Sequence, residues 1–194
     1  AGGEHLRAQE AAILARLNAW AGEGERTPAP GFVAPRSLAA LAAHLEAHPD
    51  ALLVAGATDA GLWVTKDLAV YDHVVSLADV PELRAIEIGD DAVEIGAAAT
   101  YTDLLPVAER CWPAFADMLK RLGSELIRNS GTLGGNLGSA SPIGDCLPVL
   151  LALDAVLVLR KGAATREVAA QGFFLDYKRT VLEPGEFVER IRLP

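Results

Sequence analysis

The chain has 194 residues, of which 51% are hydrophobic and 22% charged, a composition that supports a folded core and excludes disorder. Its net charge of −9 excludes the basic surface of a nucleic-acid-binding protein, and no apolar run reaches the roughly 18 residues of a membrane span. The two cysteines, Cys111 and Cys146, exclude a disulfide framework or a cysteine-ligated cluster built by this chain alone. No signal peptide is visible, so we expect a cytoplasmic protein.

The first thirty residues predict a helix followed by a linker. Apolar side chains recur at helical spacing over residues 4–20. They are Leu6, Ile13, Leu14, Leu17 and Trp20. Residues 22–31 collect glycine, proline and charge without periodicity, which is typical of a linker. We therefore separate residues 1–30 from a domain that spans residues 31–194.

The next fifty residues predict a small α/β lobe. Ser37 is placed to cap a helix that runs to about residue 45. The apolar run 51–55 has the composition of a buried strand and ends at Gly56, and residues 73–77 predict another strand. This order of elements predicts an α/β lobe that ends near residue 80.

Residues 81–194 predict an antiparallel α+β lobe. Ile86 and Ile88 alternate with polar residues, as do Val93 and Ile95 after a Gly-Asp-Asp turn, which predicts a hairpin. The capping-box pattern that begins at Thr100 predicts a helix start. Further helices are predicted near 115–122 and 144–153, and further strands at 155–160, 166–168 and 187–193. The fold class is therefore α+β, with a small α/β lobe before an antiparallel-sheet lobe.

Two glycine-rich segments carry the chemical signal. They span residues 56–61 and 130–139, and Thr58, Thr132 and Ser139 add hydroxyl donors to them. Successive backbone N–H groups in such loops form a concave anion site, which suits a pyrophosphate. The second segment does not match the dinucleotide fingerprint, and the chain has no phosphate-binding P-loop. From the residues alone, a nucleotide site and a pair of structural turns both remain open.

The order of short motifs resembles the FAD-binding domain of the xanthine dehydrogenase family. These motifs are Ala55–Asp59, Thr132–Asn136, Ser141–Asp145, Val80–Leu83 and Tyr177–Thr180. The resemblance runs from about Phe32 to Pro194 and implies the two-lobed flavin fold of the vanillyl-alcohol-oxidase type. The Ser-Pro-Ile-Gly-Asp and Tyr-Lys-Arg-Thr stretches are more similar to xanthine dehydrogenases than to carbon monoxide dehydrogenase flavoproteins.

The resemblance implies FAD as the cofactor and supplies a set of binding residues. Both glycine segments would cradle the diphosphate, Asp145 would bind a sugar hydroxyl, and Leu182 would pack on the flavin ring. The set is Leu53, Val54, Ala55, Gly56, Ala57, Thr58, Asp59, Ala60, Leu122, Gly131, Thr132, Leu133, Gly134, Gly135, Asn136, Ser139, Asp145 and Leu182. Ala57 replaces a usual glycine, and Leu122 stands where some relatives place an aromatic residue that stacks on FAD. No catalytic residue and no metal ligand is predicted in this chain.

The same resemblance implies partners. The [2Fe–2S] clusters and the molybdopterin would lie on partner domains or subunits of a hetero-oligomer, with NAD⁺ or O₂ as electron acceptor. Residues 1–30 would be the tail of an iron–sulfur domain, and the chain a piece of a longer subunit. One alternative is the flavin subunit of an aldehyde, carbon monoxide or aromatic acyl-CoA oxidoreductase. Another is a flavin-free scaffold, which the glycines at 56, 134 and 135 oppose because an abandoned site does not need them.

The histidines carry no functional prediction. His5, His44 and His48 are expected on exposed helix faces, and His73 is expected to serve packing.

Overall fold

The computed structural model describes residues 4–22 and 26–194. The predicted first helix is confirmed: α1 spans Glu4–Gly22, with Ile13, Leu14 and Leu17 exposed. The side chains of Leu6 and Trp20 lie outside the described part. Within the described ranges, the structure contains no helix whose length and apolar character would allow it to cross a membrane.

A four-stranded sheet and two helices form the first lobe. The strands are β1 (Arg26–Ala29), β2 (Phe32–Ala34), β3 (Leu52–Val54) and β4 (Val74–Ser76), and the helices are α2 (Leu38–Ala47) and α3 (Ala60–Thr65). The order is β1-β2-β4-β3, in which β4 runs parallel to β2 and β3. The cap of α2 is confirmed, because Ser37 Oγ accepts from the Ala40 N–H at 3.2 Å.

The predicted linker at 22–31 is wrong for its second half. Residues 23–25 lie outside the described part, but 26–29 form β1, which pairs antiparallel with β2. Gly31 makes the connection possible, because it adopts a φ of +76° and a Cβ there would overlap the carbonyl of Asp72. Pairing with the sheet edge overrides a local composition that favours a loop.

A five-stranded antiparallel sheet forms the centre of the second lobe. Its strands are β5 (Ile86–Ile88), β6 (Val93–Gly96), β7 (Val156–Lys161), β8 (Ala164–Ala169) and β11 (Phe187–Leu193), in the order β5-β6-β11-β7-β8. A small hairpin, β9 (Phe174–Asp176) with β10 (Arg179–Thr180), lies between β8 and β11 in the chain. The predicted hairpin at 86–95 and the three later strands are confirmed.

Helices cover this second sheet. They are α4 (Tyr101–Cys111), α5 (Pro113–Arg121), α6 (Glu125–Ser130), α7 (Leu133–Ser139) and α8 (Cys146–Ala152). The capping box of α4 is confirmed, with reciprocal bonds between Thr100 and Asp103. Most of the predicted glycine loop at 131–138 is instead α7, whose N-terminus is capped by Thr132.

The strand β11 joins the two hydrophobic cores. Phe187 is 1% exposed and packs with Leu41, Leu45 and Val75 in the first lobe. Its neighbour Val188 packs in the larger core of the second lobe. Successive residues of a strand point to opposite faces, so one strand serves both cores.

An ion pair fixes the turn between β10 and β11. Glu186 is 4% exposed at its side chain, and its carboxylate accepts two hydrogen bonds from Arg166 at 2.7 Å. Arg166 also donates to the carbonyl of Val181, and the Glu183 N–H donates to Glu186. The hydrogen bonds from Arg166 lower the pKa of Glu186 below its ordinary value of 4.5, against the effect of burial.

We predict that Glu186→Gln lowers the free energy of unfolding by about 1–2 kcal/mol at neutral pH, because it removes a charge-assisted pair whose arginine is partly exposed. The folded-state pKa is lowered, so this contribution is present above pH 4.5 and is lost as the pH falls through the folded-state value. Denaturant unfolding at pH values from about 3 to about 7, which span the titration range of carboxyl groups, measures the difference in the free energy of unfolding between the variant and the wild type.

The matched control is Glu183→Gln, which removes an exposed carboxylate paired with Lys161 at 2.9 Å. Such a surface pair is worth about 0–1 kcal/mol. Equal losses in the two variants, or a loss at Glu186 that does not change with pH, would contradict the assignment.

Candidate cofactor cleft

A cleft of about 620 Å³ lies where the two lobes meet. Its walls include the loop after β3, the exposed face of α7 with the loop that follows it, and the turn after β10. This volume lies within the range of about 300–1,000 Å³ that small-molecule sites occupy. Its shape and position make it the candidate site.

The structure brings most of the predicted binding residues to this cleft. Those that line it are Leu53, Ala55, Gly56, Ala57, Thr58, Asp59, Ala60, Leu122, Thr132, Gly134, Gly135, Asn136, Ser139, Asp145 and Leu182. Three predicted residues do not line it. Val54 lies in β3, Gly131 packs against the ring of Tyr101, and Leu133 is fully buried in the core.

The first loop presents free backbone donors to the cleft. Among the residues that the structure describes, none accepts a hydrogen bond from the N–H groups of Gly56, Ala57, Thr58 or Asp59. The loop closes instead through its carbonyls, since Ala57 accepts from the Gly61 N–H at 2.9 Å. Several adjacent unpaired N–H groups on a lining loop favour an anion. This loop has the chemistry that a diphosphate requires.

Ala57 occupies the conformation that a glycine would normally supply. Its φ is +58°, in the left-handed region. A residue with a Cβ loses about 1–2 kcal/mol there, so the loop holds local strain. Replacing the usual glycine by alanine therefore costs free energy at this position, but Ala57 still adopts the left-handed turn.

The second segment does not form the predicted nest of free amides. The N–H groups of Leu133 and Gly134 donate to the carbonyls of Ala99 and Ala97 at 3.3 and 3.0 Å. The Gly135 N–H donates to Thr132 Oγ1 at 3.0 Å. These bonds hold the start of α7 against the chain just before α4. The second segment therefore contributes side chains and an open helix face to the cleft, rather than unpaired backbone donors.

Two of the glycines expected for ligand binding are required by packing. A Cβ on Gly56 would overlap the carbonyl oxygen of Ser130, and a Cβ on Gly134 would lie 2.5 Å from the carbonyl oxygen of Ala97. The sequence analysis used these glycines as evidence against a flavin-free scaffold. That argument is wrong for Gly56 and Gly134, because the fold needs both of them whether or not a cofactor binds. Gly138 differs: it lines the cleft, and a Cβ there would meet nothing within 4 Å.

The side chain of Asn136, on α7, offers a hydrogen-bond acceptor to a ligand. Its Oδ1 is buried, and among the described residues it has no hydrogen-bond partner. A buried carbonyl oxygen without a partner costs about 1–3 kcal/mol, which a bound donor offsets. Ser139 is already engaged, since its hydroxyl donates to the Asn136 carbonyl at 2.9 Å.

The electrostatic character of the cleft is unusual for an anion site. Asp50, Asp59 and Asp145 line it, while the described lining contains no lysine, arginine or histidine. Within the described lining, a phosphate-bearing ligand must therefore be held by neutral donors, among them the first-loop amides and the hydroxyls of Thr58 and Ser141. The carboxylates suit the hydroxyl groups of a sugar.

Tyr101 and Cys146 stay protonated beside the cleft. Burial raises the pKa of the Tyr101 hydroxyl well above its usual range, and the nearby acids Asp59 and Asp145 add to the effect. Burial likewise raises the pKa of the Cys146 thiol to about 12. Neither group offers an anion or a nucleophile at neutral pH.

The apolar side chains of Leu122 and Leu182 also line the cleft. Leu122 follows α5, and its carbonyl accepts a hydrogen bond from Arg128 at 3.1 Å. Leu182 lies on the turn that the Arg166–Glu186 pair holds. These leucines offer aliphatic contact to an apolar ring but no aromatic stacking.

Several lining residues were not predicted. They are Asp50, Ala51, Leu52, Trp63, Tyr71, Leu77, Ala97, Tyr101, Ile127, Gly138, Ser141, Ile143, Gly144, Phe187 and Val188. Gly138, Ser141, Ile143 and Gly144 lie within or beside recognised motifs, so sequence reasoning had a signal for them. Tyr101 and Phe187 had none, because only the tertiary fold brings them here.

The fold and cleft define a two-lobed protein that binds an elongated, phosphate-bearing cofactor. Comparison with known families identifies the group: residues 27–194 match the FAD binding domain in molybdopterin dehydrogenase. The chain therefore belongs to this family of FAD-binding domains, and its cofactor is FAD. The unpaired first-loop amides, the unpartnered oxygen of Asn136 and the open face of Gly138 fit that cofactor.

Curated relatives come from two kinds of oxidoreductase. Xanthine dehydrogenase of Emericella nidulans is 32% identical over 158 residues, which cover 76% of this chain and 12% of that protein. The carbon monoxide dehydrogenase medium chain of Hydrogenophaga pseudoflava is 32% identical over 166 residues, which cover 84% of this chain and 58% of that protein. The chain thus spans only part of the length of each relative.

Solved structures agree with the fold. Quinoline 2-oxidoreductase from Pseudomonas putida 86 superposes with a TM-score of 0.80 at 29% identity, covering 87% of this chain and 60% of that one. Carbon monoxide dehydrogenase from Hydrogenophaga pseudoflava gives a TM-score of 0.80 at 31% identity with the same coverage. The α+β fold with an antiparallel sheet is therefore confirmed.

We predict opposite effects from adding a methyl group at two glycines of α7. Gly134→Ala forces a Cβ against Ala97 and is expected to lower the free energy of unfolding by about 1–3 kcal/mol. Gly138→Ala meets no atom of another part of the described chain within 4 Å and gains helix propensity of up to about 1 kcal/mol, but its methyl group enters the cleft.

Denaturant unfolding of the flavin-free proteins and a FAD titration separate the two effects. Gly138→Ala is expected to unfold at the same or higher denaturant concentration than the wild type and to bind FAD at least tenfold more weakly, about 1.4 kcal/mol. Wild-type FAD affinity in Gly138→Ala would contradict the placement of the cofactor against α7.

Proposed function

We propose that this chain is the FAD-binding electron-transfer component of a molybdenum hydroxylase of the xanthine dehydrogenase type. One observation carries the proposal for the site. The unpaired N–H groups of residues 56–59 line a cleft without cationic side chains, and the unsatisfied oxygen of Asn136 lies on another of its walls. This arrangement supports a diphosphate-linked cofactor with polar groups along its length.

Within this proposal, different residues of the chain bind different parts of the cofactor. The first-loop amides and the Thr58 hydroxyl bind the diphosphate, and Asp145 accepts from a sugar hydroxyl. Asn136 Oδ1 accepts one hydrogen bond from the cofactor. Leu122 and Leu182 contact the flavin ring and exclude water from one of its faces.

When bound, FAD supplies electron transfer between [2Fe–2S] clusters on a partner and NAD⁺ or O₂ as acceptor. The chain's own part is to bind and orient it. Tyr101 and Cys146 hold their protons because both are buried, so they add no charge beside the cofactor. No side chain of the cleft is assigned as a catalytic acid or base.

The partners are proposed as iron–sulfur and molybdopterin domains or subunits of a hetero-oligomer. Two [2Fe–2S] clusters require more cysteines than Cys111 and Cys146 provide. The exposed apolar side chains of α1, Ile13, Leu14 and Leu17, support a covering partner. Both cysteines are free thiols, which supports a reducing cytoplasm.

A second candidate keeps the cofactor and changes the substrate. The chain matches the carbon monoxide dehydrogenase medium chain with the same 32% identity as it matches xanthine dehydrogenase. This supports a carbon monoxide dehydrogenase type as the alternative. The substrate is bound outside the residues described here, so the cleft does not distinguish the two.

We predict that the chain, mixed with FAD and desalted, retains the visible absorption of bound flavin. Asn136→Ala is expected to weaken FAD binding about tenfold, since it removes one hydrogen bond of about 1.4 kcal/mol. The measurement is a titration followed by flavin fluorescence or absorption.

The matched control is Asn129→Ala on α6, whose amide oxygen accepts from Thr102 away from the cleft. Its FAD affinity is expected to equal that of the wild type. An equal loss in both variants would indicate a general effect on the fold, and no retention by the wild type at excess FAD would contradict the proposal.

The substrate is tested on the assembled complex rather than on this chain. We expect the complex purified through this chain to oxidise xanthine and to reduce NAD⁺ or O₂. Oxidation of carbon monoxide with no activity on purines would instead establish the second candidate. Retained flavin with neither activity would leave the FAD site in place and would contradict both substrate assignments.

A further inference from the structure

Three of the four histidines of the chain converge at one point of the first lobe, outside the cofactor cleft. His44 lies in the last turn of α2, His48 follows that helix directly, and His73 directly precedes β4. One ligand nitrogen from each imidazole lies within 4.8 Å of the other two. Sequence analysis expected separate surface and packing roles, and the structure instead brings the three together.

Backbone hydrogen bonds hold the three histidines in this arrangement. The Ala51 N–H donates to the His48 carbonyl at 3.1 Å, and the Leu52 N–H donates to the His73 carbonyl at 2.9 Å. The parallel pairing of β3 with β4 continues from this point. The three histidines therefore lie on backbone that is hydrogen-bonded within the first lobe, rather than on a mobile loop.

The rings are close enough for a shared ligand. The ring centroids of His44 and His48 are 4.8 Å apart, and those of His48 and His73 are 4.1 Å apart with the rings stacked. His44 lies in the last turn of α2 and His48 is the residue that ends it, with a non-helical φ of −133°, so the closeness of their rings is a property of this helix end. His73 adds a third nitrogen from a different element.

We propose that His44, His48 and His73 form a site for a divalent transition metal ion, of which Zn²⁺ is the natural example. Zinc–nitrogen bonds of about 2.0–2.1 Å place two tetrahedral ligands about 3.4 Å apart, so the nitrogens close by about 1.4 Å or less on binding. Binding requires the stacked rings of His48 and His73 to rotate about their side-chain bonds until the in-plane lone pair of each ligand nitrogen points at the ion. The remaining coordination position is open to water.

The ion would connect two elements of the first lobe. His44 and His48 belong to the end of α2, and His73 belongs to the start of β4, so one ion ties the helix to the sheet. The chain that leaves His48 runs through Asp50 and Leu53, which line the cofactor cleft. The site therefore adds rigidity to the lobe that carries the first loop, independently of which substrate the complex oxidises.

The test uses the untagged chain after treatment with a chelator. Co²⁺ is expected to produce the visible d–d absorption of nitrogen-ligated cobalt at one equivalent, and Zn²⁺ is expected to displace it and to raise the thermal unfolding midpoint. His73→Gln is expected to weaken Co²⁺ binding by at least about tenfold and to abolish the Zn²⁺-dependent rise. The matched control is His5→Gln, which changes the remaining histidine of the chain and is expected to bind as the wild type does.

Two results of the metal titrations would overturn the site. One is a wild-type chain without the cobalt spectrum, and the other is equal metal binding by His73→Gln and the wild type. Circular dichroism checks that each variant is folded, and His44→Gln and His48→Gln carry the same expectation if His73→Gln fails to fold. X-ray absorption of the zinc-loaded wild type gives an independent test: three imidazole nitrogens support the proposal, and a sulfur ligand overturns it.

Discussion

The close backbone contact between the loop after β3 and the chain just before α7 is the constraint on which the cleft depends. Gly56 lies directly against the carbonyl of Ser130, and residues 131–134 are in turn bonded to residues 97–101. This contact brings segments from the two lobes into register and fixes the distance between the first loop and α7. A side chain at position 56 would separate them, so glycine there serves the architecture before it serves any ligand.

That constraint changes how a glycine-rich motif is interpreted. Short motifs suggest that each glycine makes room for a phosphate. Gly56 and Gly134 instead make room for neighbouring backbone, and among the described glycines that line the cleft, Gly138 is the one whose added Cβ would meet no atom within 4 Å. In the proposed function, anion recognition falls on the four amides after β3 that have no partner among the described residues, in surroundings that contain carboxylates and no described cation. Ala57 holds one of those amides in a left-handed turn at a local cost. A site of this kind would depend on oriented dipoles rather than on charge neutralisation.

Much of the fold was predictable because its signals are local. The cap at Ser37, the capping box at Thr100 and the alternation over residues 86–95 each depend on a few neighbouring residues. The helix α7 was not predictable, because its three glycines have poor helix propensity and its start is held by bonds to Ala97 and Ala99. Within the site, residue identity was predictable from motifs, but the availability of each amide was not, since it depends on partners far along the chain.

The position of β11 has a consequence for how the protein assembles. This strand lies at the centre of the five-stranded sheet, between β6 and β7. Its residue Leu193 pairs with Val93, and most of the sequence of the second lobe lies between these two residues. Contacts so distant in sequence form slowly, because a long chain must first be closed. Until β11 is in place, β6 and β7 present apolar strands with unpaired edges and both cores lack a wall. A chain without β11 in place would therefore expose strand edges that favour intermolecular pairing, so the central position of β11 protects both of its neighbours.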